Sequence, residues 1–400
     1  MRALFSVTNF RFFLGGVTLV ELADGLRSVV IILWVYQVSQ GNGLAVAAFT
    51  AADLLPRLIF GPLLGAMADR YPRRKLLIGA EAVRMGVAIG QVVAVTFGSL
   101  GALWVLVGLS SAADVLSASV RGAMLPQIVT KDLLQQANAV VTTVRQGALM
   151  TGPPLGALVF TKLGAVAAFA FDAVFFAASA LLATGLHGLP KPEGSSAQPR
   201  LLAKAAAGWR YVAGYPPIRL LFLISLLSFI GAGINNTAMV FFISRTLGHD
   251  PADIAWLAVA NGLVQMLMGG YLAVAAKQNN PHQVLLFGVG LMALGGVVVA
   301  LAPSLVVLIM GVVITSVGNA PFNIGLNTLL QLRADPSYLG RIQAFTVTLG
   351  NGLFLAAAGA SGLLVNLAEP RLVLVISALV GLCAWLLALA FNRGGSGDRS

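Results

Sequence analysis

Long apolar stretches recur along almost the whole chain, separated by short polar breaks or by breaks that contain proline and glycine. A helix that crosses the hydrocarbon core of a bilayer needs about 20 mostly apolar residues, and each of these stretches reaches that length. The pattern predicts an all-α polytopic membrane protein with twelve transmembrane helices. The predicted helices cover residues 11–37, 44–67, 75–97, 101–123, 136–160, 165–187, 218–245, 253–276, 282–301, 304–330, 339–366 and 371–391.

The longest polar stretch lies between the sixth and seventh predicted helices, from Leu189 to Pro217. It predicts an N-terminal six-helix bundle (1–188), a cytoplasmic linker (189–217) and a C-terminal six-helix bundle with a short cytoplasmic tail (218–400). Within the linker, residues 201–212 form either an amphipathic helix on the membrane surface or a flexible tether. A weak echo between the segments after the fourth and tenth helices agrees with the pseudo-symmetric halves of many transporters.

Composition and charge support the membrane interpretation. The 400 residues are 58% hydrophobic and 10% charged, with a mean hydropathy of +0.90, whereas soluble domains carry about 25% charged residues. The formal net charge of +11 does not indicate nucleic acid, because the basic residues lie in short interhelical loops. If the N-terminus is cytoplasmic, the outer loops contain only Lys162, Arg245 and Arg371. This bias predicts a multi-pass inner-membrane protein with both termini in the cytoplasm.

The sequence lacks the groups that covalent chemistry needs. Cys383 is the only cysteine, which excludes an intrachain disulfide and a cysteine-based metal cluster. His187, His249 and His282 lie at predicted helix ends or in loops, and no GxxxxGK[ST] nucleotide loop is present. We expect no enzyme activity, no metal, no cofactor and no nucleic-acid partner. The expected partners are the lipid bilayer, a small-molecule substrate and protons, and the expected state is a monomer.

Ten ionisable residues with acidic or basic side chains lie in the interior of the predicted helices, more than two positions from either end, and all of them are in the first half of the chain. A charge at the bilayer centre costs at least about 2.5 to 3.5 kcal/mol on insertion scales, so such residues normally face a cavity or a partner and carry function. Six acids against four arginines leave two carboxylates without an obvious cationic partner, and these are candidates for reversible protonation. The ten are Glu21, Asp24, Arg27, Asp53, Arg57, Glu81, Arg84, Asp114, Arg145 and Asp172.

Glu21 and Asp24 lie three positions apart near the middle of the first helix, so they share one face, which Arg27 extends. Two acids this close resist ionising together, which makes one of them a candidate proton-coupling site. Asp114 is a third candidate. The alternative is a fixed ion-pair network with Arg27 and Arg57 that only holds the first two helices together.

Three more charged positions are either cavity residues or ion-pair partners. Asp53 and Arg57 lie four residues apart on the second helix, and a structural ion pair is favoured for them. Arg145 lies at mid-depth on the fifth helix, where it either pairs with Asp114 of the fourth helix or lines a cavity.

The second half offers amides instead of charges. Asn319, Asn323 and Asn327 recur at four-residue intervals on one face of the tenth helix, and Asn235 and Asn236 interrupt the seventh. Amides in a membrane either hydrogen-bond a substrate or join helices, for about 0.6 to 2 kcal/mol each. Both interpretations stay open.

The loop after the second helix reads Gly65-Ala66-Met67-Ala68-Asp69-Arg70-Tyr71-Pro72-Arg73-Arg74-Lys75. It resembles the loop signature of the major facilitator superfamily, in which a glycine is followed by Asp-Arg and a basic cluster. The resemblance implies two six-helix bundles around a central cavity and a cytoplasmic gate that latches the two halves. The gate residues it implies are Gly65, Asp69, Arg70, Arg73, Arg74 and, opposite them, Arg341. Topogenic charge alone would explain the basic cluster but not Asp69.

The fifth helix carries the dense segment Gly147-Ala148-Leu149-Met150-Thr151-Gly152-Pro153-Pro154-Leu155-Gly156. It resembles the Gly-Pro signature of proton-antiporting drug exporters of the same superfamily. The glycines are expected to let helices pack at short range, and the prolines to bend the helix. The residues of this motif are Gly147, Gly152, Pro153, Pro154 and Gly156.

The segment from Met124 to Ala139 also looks like the superfamily branch that includes macrolide and enterobactin efflux proteins. Many proton-coupled drug exporters have an arginine followed by glycine in the middle of the fourth helix. That pair is expected to be missing here, because Ser110, Ser111 and Asp114 occupy the region.

The resemblance implies secondary active transport, and we expect proton-coupled efflux of lipophilic or amphiphilic drugs such as macrolides by alternating access. Apolar cavity walls and scarce charge in the second half favour a lipophilic or weakly cationic substrate. A siderophore or lipid exporter is the alternative, because fold does not determine substrate. A non-transporting receptor or scaffold is disfavoured by the ten intramembrane charges.

Overall fold

The computed structural model describes residues 2–130, 133–188, 212, 214–275, 280–334 and 336–395. These residues form helices joined by short turns, and no strand occurs among them. The predicted linker, including the candidate surface helix at 201–212, lies outside the described residues apart from Val212 and residues 214–217.

The helices follow one another with few intervening residues. They are α1 (Arg2–Ser6), α2 (Thr8–Val38), α3 (Gly43–Arg70), α4 (Arg73–Thr96), α5 (Leu100–Ile128), α6 (Leu134–Thr184), α7 (Pro216–Phe241), α8 (Ile254–Ala275), α9 (Pro281–Leu301), α10 (Leu305–Arg333), α11 (Pro336–Leu367) and α12 (Pro370–Gly395). A π-helical turn (Phe242–Thr246) and a 3-10 turn (Pro251–Asp253) connect α7 to α8.

Helix α6 contains both the fifth and the sixth predicted spans. Its 51 residues keep helical dihedrals except at Gly164, whose φ of 82° lies in the left-handed region that favours glycine. Pro153 and Pro154 keep helical dihedrals, so the break between the two predicted helices falls at Gly164. With α6 counted as two spans, the long helices α2 to α12 correspond to the twelve that the sequence predicts.

The predicted interruption of the seventh helix at Asn235 and Asn236 is wrong. Helix α7 runs through both residues, and the irregular turn begins only at Phe242. The Asn235 amide donates to Ser377 Oγ on α12 at 3.0 Å, so it does not compete for the hydrogen bonds of its own backbone.

Polar residues in the predicted breaks cap several of these helices. Ser99 Oγ accepts a hydrogen bond from the backbone N–H of Ala102 at the start of α5, and Asn280 Oδ1 accepts one from His282 at the start of α9. Each cap satisfies a backbone donor that has no partner inside the helix. The short polar breaks thus determine where the apolar helices begin.

Nine helices of the described part are long and apolar enough to cross a membrane, judged by length and composition. One of them, Gln136–Thr184, has 49 residues and includes two predicted spans. Helix α2 is not in this set, since Glu21, Asp24 and Arg27 lie within it. The chain is therefore a multi-pass membrane protein.

The chain divides into two compact units, Met1–Gly41 with Ala48–Gln198 and Asn42–Ala47 with Pro199–Ser400. In the first, α6 packs along α2 and α4, and buried apolar residues such as Phe10 and Met124 form its core. The division of the sequence at 1–188, 189–217 and 218–400 stays a prediction.

In the second unit, α9 and α10 approach each other backbone to backbone at glycines. A Cβ atom added to Gly318 would lie 2.6 Å from the Gly288 carbonyl oxygen, and one added to Gly325 would lie 2.6 Å from the Leu285 nitrogen. The same unit includes Asn42–Ala47, where the Gly43 N–H donates to Asn366 Oδ1 at 2.9 Å.

Candidate functional site

A cavity of about 590 Å³ lies within the first unit, where α2, α3, α5 and α6 meet. Of its sixteen lining residues, four are acids, four are arginines and only five are apolar. The walls of this cavity are therefore mixed, and more charged than the apolar walls that were expected, because charged side chains from four helices converge on one space. The lining residues are Glu21, Asp24, Arg27, Ser28, Ile31, Phe49, Asp53, Arg57, Val107, Asp114, Ala118, Arg121, Thr142, Arg145, Gln146 and Leu149.

Two arginines converge on the carboxylate of Asp24. Its Oδ1 atom accepts a hydrogen bond from Arg27 Nη2 at 2.8 Å and a second from Arg84 Nη2 of α4. The Asp24 side chain is 29% exposed and lines the cavity, whereas the Arg84 side chain is fully buried. Asp24 thus connects the cavity to a buried network of charges.

Arg84 is the centre of that network. Its guanidinium forms ion pairs with Asp24, with Asp114 at 3.4 Å and with Glu81 at 4.0 Å. It also lies over the ring of Phe176, 4.1 Å from the ring centroid, which is a favourable cation–π distance. The sequence marks Arg84 as an intramembrane charge but assigns it no partner.

Asp114 pairs with Arg57 and Arg84 rather than with Arg145. Arg57 Nη1 donates to Asp114 Oδ2 at 2.9 Å, and its Nη2 donates to Asp53 at 3.2 Å. Arg145 instead donates to Glu21 Oε1 at 2.8 Å. The expected Asp114–Arg145 pair is therefore not formed, because α4 and α3 bring nearer arginines to Asp114 and α2 brings Glu21 to Arg145. The expected Asp53–Arg57 contact is present.

Arg121 belongs to the network although its position near the end of α5 suggested a cytoplasmic charge. Its side chain is 6% exposed, lines the cavity and lies 3.7 Å from Glu81, which also accepts a hydrogen bond from Ser117 at 2.5 Å. Gly122 follows Arg121, but this arginine–glycine pair lies toward the end of α5 and not in the middle of the helix, where the pair is expected to be missing. The pair lies about two turns beyond Asp114.

Three buried serines on α5 form hydrogen bonds with charged residues of the network. Ser110 accepts from Arg27, Ser111 donates to Asp53, and Ser117 donates to Glu81. Together with Asp114 they recur at three- and four-residue intervals, which is the spacing of one helix face. That periodicity is the signal by which the sequence could have identified the serines as network residues.

The network has more cationic partners than the sequence suggested. With Arg121 included, each of the six carboxylates lies within 4.0 Å of an arginine nitrogen. The expectation of two carboxylates without a cationic partner is therefore wrong. Six acids and five arginines still leave one negative charge in excess.

Two glycines of the Gly/Pro segment lie directly against α2. A Cβ atom added to Gly152 would lie 2.7 Å from the Gly25 Cα, and one added to Gly156 would meet the Leu26 carbonyl group. A Cβ at Gly147 would meet nothing within 4 Å. The short-range packing expected of these glycines is present at Gly152 and Gly156, which meet the two residues of α2 that lie between Asp24 and Arg27.

A family model described as Major Facilitator Superfamily matches residues 13–232 and 221–397 of this chain. The chain belongs to the Major Facilitator Superfamily. The resemblance that rested on the loop after the second helix is thereby confirmed, together with the twelve-helix fold of that superfamily.

Two relatives of this chain are efflux proteins. The multidrug efflux pump Tap of Mycobacterium tuberculosis (strain ATCC 25618 / H37Rv) is 27% identical over 386 residues, which cover 93% of this chain and 88% of that protein. Macrolide efflux protein A of Streptococcus pyogenes is 24% identical over 344 residues, covering 82% of this chain and 83% of that one.

Solved structures of superfamily transporters share the fold at low sequence identity. A bacterial homologue of the iron transporter ferroportin has a TM-score of 0.79 at 13% identity and covers 96% of this chain and 98% of its own. The nucleoside transporter NupG has a TM-score of 0.79 at 14% identity, with the same coverage. These likenesses concern the fold.

The superfamily loop signature lies between α3 and α4. Helix α3 ends at Arg70, α4 begins at Arg73 after Pro72, and Arg74 donates to the Thr184 carbonyl oxygen at the end of α6. The side chains of Asp69 and Arg341 and the surroundings of Gly65 lie outside what the structure describes. The gate between Asp69 and Arg341 stays a prediction.

The amides of the second half fall into two groups. Asn235 joins α7 to α12 through Ser377, as the interpretation of amides as links between helices requires. Asn323 and Asn327 are exposed, and each donates to a backbone carbonyl of its own helix, those of Asn319 and Asn323 respectively. Neither of these hydrogen bonds joins a second helix, which favours the substrate-binding interpretation for this stripe.

This difference predicts unequal effects of alanine substitution. We expect Asn235→Ala to lower stability by about 0.6 to 1.7 kcal/mol, the range measured for hydrogen bonds between membrane helices. Asn323→Ala should leave stability unchanged, because its amide bonds only to its own helix. Thermal unfolding of the two purified variants in detergent tests this, and an equal loss in both would contradict the assignment.

Proposed function

We propose that this chain exports lipophilic or amphiphilic compounds, macrolides among them, in exchange for protons by alternating access. It works as a monomer in the inner membrane with both termini in the cytoplasm. The observation that carries the proposal is the double contact of Asp24, a carboxylate that faces the cavity and is held by Arg27 and Arg84.

Protonation of Asp24 would cancel the charge that attracts both arginines. Arg84 belongs to α4 and Arg27 to α2, so the loss of this charge would weaken a contact between two helices. A transporter needs this property, because proton binding must change the relative stability of its conformations. Glu21 and Asp114 line the same cavity and are the alternative coupling groups, although each bonds to an arginine in a different way.

The pairing of charges in the cavity supports a cationic rather than an anionic substrate. All four of its arginines lie close to carboxylates: Arg27 at 2.8 Å, Arg57 at 2.9 Å, Arg121 at 3.7 Å and Arg145 at 2.8 Å. Paired arginines leave no excess positive potential for an anion. A compound with an apolar body and an amine can instead compete for the partly exposed acid Glu21.

The same pairing argues against a strongly anionic siderophore, which would need unpaired cations in the cavity. The names of the relatives agree with a drug-like substrate, since Tap is a multidrug efflux pump and macrolide efflux protein A carries its substrate class in its name. A lipid substrate remains an outcome of the experiment below.

The experiment uses inverted membrane vesicles that contain the full chain. A pH gradient, acid inside, is imposed, and uptake of a fluorescent lipophilic cation and of a radiolabelled macrolide is followed. We expect gradient-dependent uptake of at least one compound by the natural chain. In Asp24→Asn, uptake should fall to the level seen without a gradient, because the amide cannot exchange a proton.

Asp53→Asn is the matched control. Asp53 also lines the cavity and bonds to an arginine, and its side chain is 35% exposed against 29% for Asp24, but only Arg57 among the arginines contacts it. It should keep gradient-dependent uptake. Full uptake in Asp24→Asn would exclude Asp24 as the coupling group, and uptake by the natural chain that ignores the gradient would overturn proton coupling altogether.

A further inference from the structure

Asp172 on α6 is the only carboxylate of the network that accepts no hydrogen bond from the described residues. Its side chain is fully buried, and both of its carboxyl oxygens are without a donor. The nearest cation is Arg27, whose Nε lies 3.6 Å from Oδ2, which is an ion-pair distance but too long for a good hydrogen bond. The other five acids of the network each accept at least one hydrogen bond.

The charge balance of the network indicates that this carboxylate carries a proton. The network holds six acids and five arginines, all within helices that cross the membrane. A buried charge is expensive unless it is paired and hydrogen-bonded, so one excess negative charge is best removed by one bound proton. That proton should reside on the carboxylate whose ionised form is least stabilised by its neighbours, and by hydrogen-bond count this is Asp172.

The surroundings of Asp172 connect it to Asp24. The charged groups that act on it are Arg27 and Asp24 from α2 and Arg84 from α4. Arg27 bonds to Asp24 through Nη2 while its Nε faces Asp172. One arginine thus lies between a carboxylate that lines the cavity and one that is sealed from it.

We propose that Asp172 is a second proton-carrying group, which holds a proton while Arg27 is bound to Asp24 and exchanges it with Asp24 as Arg27 turns. The exchange rests on the proposed proton coupling, whereas the resting protonation of Asp172 does not.

The exchange conserves protons and charge. The O–H bond on Asp172 breaks, the proton forms an O–H bond on Asp24, and Arg27 moves its ion pair from Asp24 to the newly ionised Asp172. Asp24 can then release the proton to water in the cavity, because it lines that space. The buried site stores the proton and the cavity site exchanges it with water, so the coupling proton is protected from the substrate in the cavity.

Infrared difference spectroscopy of the full chain in liposomes tests the resting protonation without any transport. We expect the natural chain to show the carbonyl stretch of a protonated carboxyl group near neutral pH. Asp172→Asn should lose this band, and Asp172→Glu should shift it, which keeps the test decisive if the asparagine variant does not fold. Glu369→Gln, which removes an exposed acid, is the matched control and should keep the band unchanged.

Transport tests the exchange separately. In proteoliposomes with an imposed pH gradient, Asp172→Asn should lose gradient-driven accumulation of the macrolide but keep downhill exchange of the same compound. A band that is absent from the natural chain, or that persists unshifted in the Asp172 variants, overturns the protonation of Asp172. A lost band with unchanged gradient-driven accumulation overturns its role in the exchange. If the natural chain shows no gradient-driven accumulation, the proposed function fails, and the band alone decides the protonation of Asp172.

Discussion

Replacement of Arg84 by glutamine should lower stability by about 3 to 5 kcal/mol, the usual cost of removing one partner from a buried ion pair. The Arg84 side chain is fully buried and pairs with Asp24, Glu81 and Asp114. Glutamine leaves these acids with one cation fewer and also removes the contact with the Phe176 ring. The loss is measured by thermal unfolding in detergent together with denaturation by SDS.

Arg145→Gln is the control that separates a buried arginine from an exposed one. Arg145 is 47% exposed and bonds to Glu21 alone among the carboxylates. Exposed ion pairs contribute only about 0 to 1 kcal/mol, so this variant should unfold close to the natural chain. Equal stability of Arg84→Gln and Arg145→Gln would show that the buried network does not hold α2, α4 and α5 together.

The sequence predicted the helices well because the bilayer imposes their length and their apolar composition. It also located the half of the chain that contains the charged cavity, since charges inside a membrane are expensive and normally face a cavity or a partner. Among the candidates predicted from the sequence, five that line the cavity are Glu21, Asp24, Arg27, Asp53 and Arg57.

The sequence could not assign the partners of these charges. Positions along one helix follow from periodicity, so the Asp53–Arg57 contact was predictable, but contacts between helices depend on rotation and depth. Asp114 faces Arg57 and Arg84 because α3 and α4 flank α5 at that level. No local pattern around Asp114 specifies this arrangement.

Two residues were misjudged for identifiable reasons. Arg121 lies near the end of a predicted helix, where a basic residue normally faces the cytoplasm, yet α5 extends to Ile128 and buries it. For Asp172 the sequence predicts only an acid inside the membrane, because its lack of hydrogen-bond donors shows only when α2 and α6 are packed together.

The close packing of α2 against α6 can be tested by a single substitution. Gly152→Val should separate α2 from α6, because the first atom of the new side chain would lie 2.7 Å from the Gly25 Cα and 2.9 Å from its carbonyl carbon. Backbone atoms cannot move aside as a flexible side chain can, so we expect a loss of about 1 to 3 kcal/mol or more. Thermal unfolding in detergent measures the loss.

The same substitution should also abolish gradient-driven transport, because Gly152 contacts Gly25 and Leu26, the two residues between Asp24 and Arg27 on α2. Moving α2 would lengthen the contact of Arg27 with Asp172 and that of Glu21 with Arg145, both of which join α2 to α6. Gly147→Val, in the same motif of the same helix, is the matched control, since a Cβ there meets nothing within 4 Å. It should keep both stability and transport, and a comparable loss in this control would show that the motif acts through helix flexibility rather than through close packing.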